Sequence, residues 1–232
     1  MSPFEAILKV ASATDKAILF HSATGKDSIA LLDMIRPHFK DIICVYMYIV
    51  PNLEHINKYI LWAENRYSVQ FIQTLHYALP SYIKSGNLGM RQNGKVKNYT
   101  LGKITDSIRM KTGIEWVFYG FKQSDGLNRR LMLRTYEGNC ICEKTKKCYP
   151  LSEWKNRDVL AYIRQNDLIE PINYGKVGSA SSGCAVNDIN FLLWCKRNHH
   201  DDYRKVIKMF PITEQKVFEY EYHERKRAEA KL

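Results

Sequence analysis

AILFHSATGKDSIALL, Ala17 to Leu32, reads as a buried strand, a tight turn suited to an anion, and the first turns of a helix. Ala17, Ile18, Leu19 and Phe20 form a short apolar run that ends in small polar residues, as expected of a strand covered on both faces. Ser22, Ala23, Thr24 and Gly25 carry little side-chain bulk, and Gly25 is expected to let the backbone approach a ligand closely. Ile29, Ala30, Leu31, Leu32 and Met34 then predict a helix whose free N–H groups and positive dipole end face the turn. An anion belongs at such a place. Lys26 adds a mobile positive charge there, and the hydroxyls of Ser22, Thr24 and Ser28 are donors for phosphate oxygens.

The turn is not a Walker A loop. That motif needs Ser or Thr directly after Gly-Lys and a glycine five positions before its second glycine, whereas this chain has Asp27 and Phe20 at those places.

Outside this stretch, 232 residues with 45% hydrophobic and 12% aromatic composition suffice for one substantial folded core. No apolar run approaches the roughly 20 residues that span a bilayer. The N-terminal MSPFEAILKV lacks the basic and apolar segments of a signal peptide, so a cytoplasmic protein without membrane association is expected. Thirty-five Lys and Arg against 24 Asp and Glu give a formal charge of +11, which suits a polyanionic partner. A nucleotide, DNA or RNA each fits that charge, and so does a merely solvated basic surface.

Taken in order, Ser2 and Pro3 predict a capped helix carrying Phe4, Ile7, Leu8 and Val10. Ile42 to Val50 predicts a second buried strand, and Asn52 to Tyr67 a crossover helix with Asn52 as its cap and Leu53, Ile56, Ile60, Leu61 and Ala63 on one face. Val69 to Leu75 predicts a third strand. A polar loop spans Ser85 to Asn98. Thr100 to Thr112 predicts a helix with Leu101, Ile104, Ile108 and Met110, closed by Gly113, and Glu115 to Tyr119 a further strand. Strands alternating with helices predict an α/β fold, a doubly wound, mostly parallel sheet with flanking helices and a helical C-terminal extension. Ligands on such sheets bind beyond the carboxyl ends of the strands, where both Ser22 to Ser28 and Gly120 to Arg130 fall.

The tetrapeptide GKDS, Gly25 to Ser28, resembles the SGGKDS signature of the PP-loop ATP pyrophosphatases, a superfamily of adenine nucleotide α-hydrolases that includes the phosphoadenosine phosphosulfate (PAPS) reductase family. Ala23 and Thr24 stand where that signature has Ser and Gly. GFKQSDGLNRR, Gly120 to Arg130, is similar to the family's segment after the fourth strand, with Lys122 at the usual arginine position, Asp125 at the acidic one, and Arg129 and Arg130 as the basic pair. YPLSEWKNRDVLAYI, Tyr149 to Ile163, is similar to PLxxWxxxDVWxYI, with Ser152 as a candidate helix cap. The stretch Ile169 to Cys184 resembles the PxxxLYxxGxxxxGC that follows.

The resemblance implies a nucleotide-binding α/β domain over residues 1–185 and a helical extension over 186–232. It implies ATP, or PAPS, held by Ser22, Ala23, Thr24, Gly25, Lys26, Asp27, Ser28, Gly120, Lys122 and Asp125, with Mg²⁺ bridging phosphate oxygens. The expected reaction is cleavage at the α-phosphate with release of pyrophosphate and adenylation of an acceptor. Lys26, Asp27, Arg129 and Arg130 would be the catalytic groups. A sulfonucleotide reductase is the alternative, and it needs a cysteine nucleophile that the family carries in an ECGxH-type motif; EYEYHERKRAEAKL, at the end of this sequence, has none. A non-catalytic nucleotide sensor or a nucleic-acid-modification subunit is a third class. Expected partners are an adenine nucleotide, an acceptor, nucleic acid as one polyanion that the charge suits, and a second copy of the chain.

Cys140, Cys142 and Cys148 cluster before Pro150, and with Cys184 they form a candidate set for zinc or an iron–sulfur cluster, with free thiols as the alternative. Cys44, in a predicted buried strand, and Cys195, among Leu192, Leu193 and Trp194, are expected to be inert. His199 and His200 are expected to face solvent at the start of a polar helix.

Overall fold

The computed structural model describes residues 1–172 and 185–229. In chain order the elements are α1 (Pro3–Ala11), β1 (Lys16–Phe20), α2 (Lys26–Ile35), β2 (Asp41–Tyr48), α3 (Glu54–Tyr67), β3 (Gln70–Leu75), α4 (Leu79–Ser85), α5 (Leu101–Thr112) and β4 (Val117–Tyr119). There follow α6 (Leu127–Arg134), β5 (Ile141–Cys142), β6 (Lys147–Cys148), α7 (Asn156–Gln165), α8 (Ile189–Asn198), α9 (His200–Met209) and α10 (Ile212–Glu229). No described helix is long and apolar enough to cross a membrane.

The strands form one six-stranded sheet in the order β3-β2-β1-β4-β6-β5. β1 pairs in parallel with β2 and β4, and β4 with β6; β5 closes the edge as the antiparallel arm of a hairpin. The α/β architecture, mostly parallel with flanking helices and C-terminal helices, is the one the alternating pattern predicts. Sequence order runs outward from β1 to β2 on one side and from β4 to β6 on the other, so the direction of winding reverses between β1 and β4. That reversal opens a crevice at their carboxyl ends.

Contacts divide the chain into two compact units. One comprises residues 1–47, 59–74 and 100–172, and the other residues 48–58, 75–99 and 173–232.

In the first unit the core is built on β1 and β4, whose Ala17, Ile18, Leu19, Val117 and Phe118 are fully buried. α7 packs on α2, and Asp33 of α2 accepts hydrogen bonds from the hydroxyls of Tyr162 (2.8 Å) and Tyr67 (3.5 Å). Three helices bury a narrower stripe than their apolar content predicts. α1 turns Pro3, Ala6, Ile7 and Val10 inward at the i, i+3, i+4, i+7 spacing of one helical face, which leaves Phe4 and Leu8 exposed. Leu61 and Met110 are exposed for the same reason, each lying off the buried stripe of its helix. Ser152 does not cap α7: its hydroxyl donates to the Asn139 carbonyl at 2.6 Å, while the Asp158 carboxylate accepts from the Lys155 amide at the helix start.

The second unit has a polar centre. Asp202, fully buried, accepts from the amides of Glu54 (2.6 Å) and His55 (3.1 Å) and contacts His55 Nδ1 at 2.7 Å. It therefore caps α3 from a distant helix, replacing the expected cap Asn52, which sits outside the helix at φ 56°. Burial opposes ionisation of Asp202, yet the His55 ring and the two amides outweigh it and hold the carboxyl far below its ordinary range. His199 is half-buried rather than solvent-facing, its ring 4.7 Å from Trp194 and 5.4 Å from His55.

His21, the residue that follows β1, is 2% exposed and lies against Tyr59 and Phe71. Neither ring nitrogen has a partner among the described residues, and burial lowers the ring pKa from 6.5 to about 3. The folded state therefore refuses a proton that the unfolded chain takes up below about pH 6.5. Stability from this residue is complete above that pH. It should fall by about 1.4 kcal/mol per unit as the pH drops towards 3. Urea unfolding of His21→Phe between pH 7 and 4 should show a clearly flatter pH dependence than the parent; equal slopes would exclude His21 as the cause.

Candidate functional site

The loop after β1 is held closed by its own hydroxyls. The Ser22 amide donates to Ser28 Oγ at 2.9 Å, and the two serine hydroxyls lie 2.8 Å apart, tying the start of the loop to the first turn of α2. Gly25 caps α2 with ordinary extended backbone (φ −82°, ψ 133°), so it is not needed for a left-handed conformation. Its lack of a side chain is needed because a β-carbon there would overlap the Ser22 hydroxyl. The left-handed position of the loop falls on Ala23, at φ 54°, an L-residue conformation that costs roughly 1–2 kcal/mol. Thr24 and Ser28 are buried in the same turn.

Lys26 is not the mobile side chain expected from the sequence. It is 9% exposed, and its ammonium lies 3.0 Å from Asp27 Oδ2. The other oxygen of Asp27 reaches across to the loop after β4, where Lys122 Nζ donates to it at 2.7 Å. Lys122 is fully buried. It also meets Asp125 Oδ1 at 3.0 Å, while Asp125 Oδ2 accepts from the Lys122 amide and from Arg129 Nη1 at 2.6 Å. Burial raises the Asp125 pKa, but the Lys122 amide and ammonium and the Arg129 guanidinium reverse that, leaving it below its ordinary value. Lys26, Asp27, Lys122, Asp125 and Arg129 thus form a continuous line of alternating charge. Three cations face two carboxylates, and the excess is positive at the N-terminus of a ten-residue helix.

The two loops are drawn together because β1 and β4 are neighbours in register, Phe20 opposite Tyr119. Gly120 permits the approach: a β-carbon there would lie 3.1 Å from Cβ of Asp27. Beneath them, Phe20 stacks on Tyr119 (centroids 4.9 Å) and Tyr119 on Tyr149 (5.4 Å), giving the site an aromatic floor. Arg129 is further fixed 4.0 Å above the Phe121 ring.

Arg130 leaves this group. Successive residues of a helix point about 100° apart, and Arg130 lines a different groove of about 380 Å³, with Arg134 and Lys155 among its neighbours. Sequence reading missed three features of the site: the ion pair between Asp27 and Lys122, the Phe121 stack, and His21. The i, i+3, i+7 spacing of Lys122, Asp125 and Arg129 was a local signal. The Asp27 contact spans 95 residues and becomes visible only once β1 and β4 are neighbours.

Neither carboxylate of the network is free to hold Mg²⁺, because Lys26 and Lys122 occupy both oxygens of Asp27, and Lys122 and Arg129 occupy those of Asp125. These residues do not fit a protein-held divalent cation.

Cys140, Cys142 and Cys148, a cysteine cluster in sequence, lie in and beside the β5–β6 hairpin. Ile141 pairs with Cys148 and Cys142 with Lys147, so the pleat places Cys148 on the face opposite Cys142. Cys140 and Cys148 are buried, while half-buried Cys142 accepts a hydrogen bond from Thr145. No group of three His, Cys, Asp or Glu suited to a metal occurs among the described residues, and Cys184 lies outside them.

Residues 17–187 match the family model of the phosphoadenosine phosphosulfate reductase domain. Among solved structures, the chain is similar to the phosphate complex of phosphoadenylyl-sulfate (PAPS) reductase from Candida auris, at 17% identity over 74% of this chain and 82% of that one, with a TM-score of 0.45. No curated protein sequence matches.

Removing the central cation would leave two carboxylates facing each other across the vacated position, with only Lys26 and Arg129 at the outer ends of the line. Lys122→Met should therefore cost about 3–5 kcal/mol of folding stability, read as a lower midpoint in urea. A loss under about 1 kcal/mol, the size expected for an exposed pair, would show that the network does not hold the loops.

Proposed function

The chain belongs to the phosphoadenosine phosphosulfate reductase domain family, and from that premise we propose that it binds ATP across the loops after β1 and β4 and cleaves it between the α- and β-phosphates. The observation that carries this proposal is the charge line from Lys26 to Arg129, with its positive excess at the start of α2 and at the point where the winding of the sheet reverses.

The chemistry asked of the chain is electrostatic. An acceptor oxygen forms a bond to the α-phosphorus, the bridge to the β-phosphate breaks, pyrophosphate leaves with the bonding electrons, and the acceptor's proton passes to solvent. Lys26 and the amides at the start of α2 supply fixed positive charge where negative charge develops. Asp27 is a positioning residue, holding Lys26 on one side and Lys122 on the other. Arg129 has one nitrogen engaged by Asp125 and keeps further N–H groups for a phosphate oxygen. Mg²⁺ would travel on the nucleotide's own phosphates, and no step is assigned to a protein-bound metal.

A sulfonucleotide reductase needs a reactive thiolate. Burial raises the thiol pKa of Cys44, Cys148 and Cys195, and that of Cys140 to about 11. Burial thus works against the thiolate form of these four side chains, which supports the pyrophosphatase reading.

Lys26→Ala should weaken ATP binding by about 1.5–3 kcal/mol, the range of a charge-assisted hydrogen bond, as read by calorimetry. Unchanged affinity would remove the loop from the site. With water as the acceptor the products of ATP turnover should be AMP and pyrophosphate, and with another acceptor pyrophosphate and the adenylated acceptor, while PAPS should yield no thioredoxin-dependent sulfite; sulfite that disappears on mutating a cysteine would restore the reductase, and nucleotide binding without pyrophosphate release would favour a sensor.

A further inference from the structure

The groove beside α6 begins in the same loop as the charge line, since Gln123 and Ser124 line it and Lys122 immediately precedes them. Its remaining walls include Arg130, Arg134, Lys155 and Glu153. Arg130 and Lys155 have no carboxylate partner among the described residues, and Arg134 Nε donates only to the neutral Gln123 side chain, at 3.3 Å. The one acidic wall, Glu153, accepts from the Asn139 amide at 2.8 Å. Three uncompensated cations therefore face a groove of about 380 Å³ that contains a single carboxylate.

The helix carrying two of these cations has a second feature. Leu127 and Leu131 are 66% and 57% exposed, and with Arg130 and Arg134 they occupy the i, i+3, i+4 and i+7 positions of one face of α6. Leu127 and Leu131 thus present apolar surface beside the two arginines. That face suits a ligand that offers regularly spaced negative charge together with apolar surface. A phosphodiester chain, with its sugars and base faces, has that character. The formal charge of +11 acts in the same direction at long range.

We propose that this groove binds a nucleic-acid strand by its phosphodiester backbone and presents it as the acceptor for the nucleotide held at the neighbouring loop. The role of acceptor rests on the ATP-cleavage proposal; strand binding does not. Arg129 and Arg130, adjacent on α6, then divide the work: one belongs to the nucleotide side through Asp125, the other to the strand side. A helix shared by both sites fixes their spacing.

The test is fluorescence anisotropy of a labelled short single-stranded oligonucleotide of mixed sequence, titrated with the whole protein at about 50 and about 200 mM salt. The parent should bind and lose affinity as salt rises. Arg134→Glu with Lys155→Glu should weaken binding about tenfold or more and lower the log–log salt slope by about 1.4, two phosphate contacts' worth for a single strand. ATP affinity should be unchanged in that double variant. Lys155→Gln, a change at an exposed position, supplies a milder reading of the same trend if the double variant folds poorly. No binding by the parent at about 50 mM salt, variants that bind as the parent does, or equal competition by polyglutamate would each overturn the proposal. Oligonucleotide binding by a protein that fails to bind ATP would leave the groove standing and remove only its role as acceptor site.

Discussion

The contact between Asp27 and Lys122 is the constraint on which the site depends. Withdrawing an ammonium group from water costs several kcal/mol after relaxation, and Lys122 is fully buried. Among the described residues, two carboxylates in hydrogen-bond contact offset that cost, and they come from different places: Asp27 from the loop after β1, Asp125 from the loop after β4. Lys122 can be accommodated only when both loops are in place. The same ion pair leaves Lys26 and Arg129 as the outermost charges of the line, each held from behind by a carboxylate. Under the ATP-binding proposal, these fixed charges leave little reorganisation to be made on binding.

The loop itself departs from the SGGKDS signature it resembles. Where the signature has Gly and Ser, this chain has Thr24 and Ala23. The left-handed backbone falls on Ala23, at the signature's Ser position and not at its Gly, and the Ser22–Ser28 hydroxyl contact ties the two ends of the turn around it. Gly25 keeps its importance for a different reason from the one its neighbours suggest, since the Ser22 hydroxyl occupies the space a side chain would need.

Much of the fold was legible because its signals are local. The apolar run before the loop, the helical spacing after it and the Ser2–Pro3 start of α1 all act within a few residues. Helix faces were legible in part: Phe4, Leu8, Leu61 and Met110 have the right chemistry for a core but the wrong angle on the helix. The short strands β5 and β6 were hidden because two residues each carry no period, and the cysteines there drew attention to ligation instead. What the sequence could not show were pairings across the fold. Asp202 as the cap of α3 and Asp27 as the partner of Lys122 join residues far apart in the chain, and no spacing rule reaches them. The separation of Arg129 from Arg130 needed the helix axis to be known.

We propose the charge line at the carboxyl ends of β1 and β4 as a phosphate cradle. The most direct test is a crystal structure of the protein with the non-cleavable analogue α,β-methylene-ATP. Phosphate oxygens should lie on the amides at the start of α2 and on Lys26 Nζ, with Asp27 still bound to Lys122. Phosphates seated elsewhere, with Lys26 still turned only to Asp27, would contradict it.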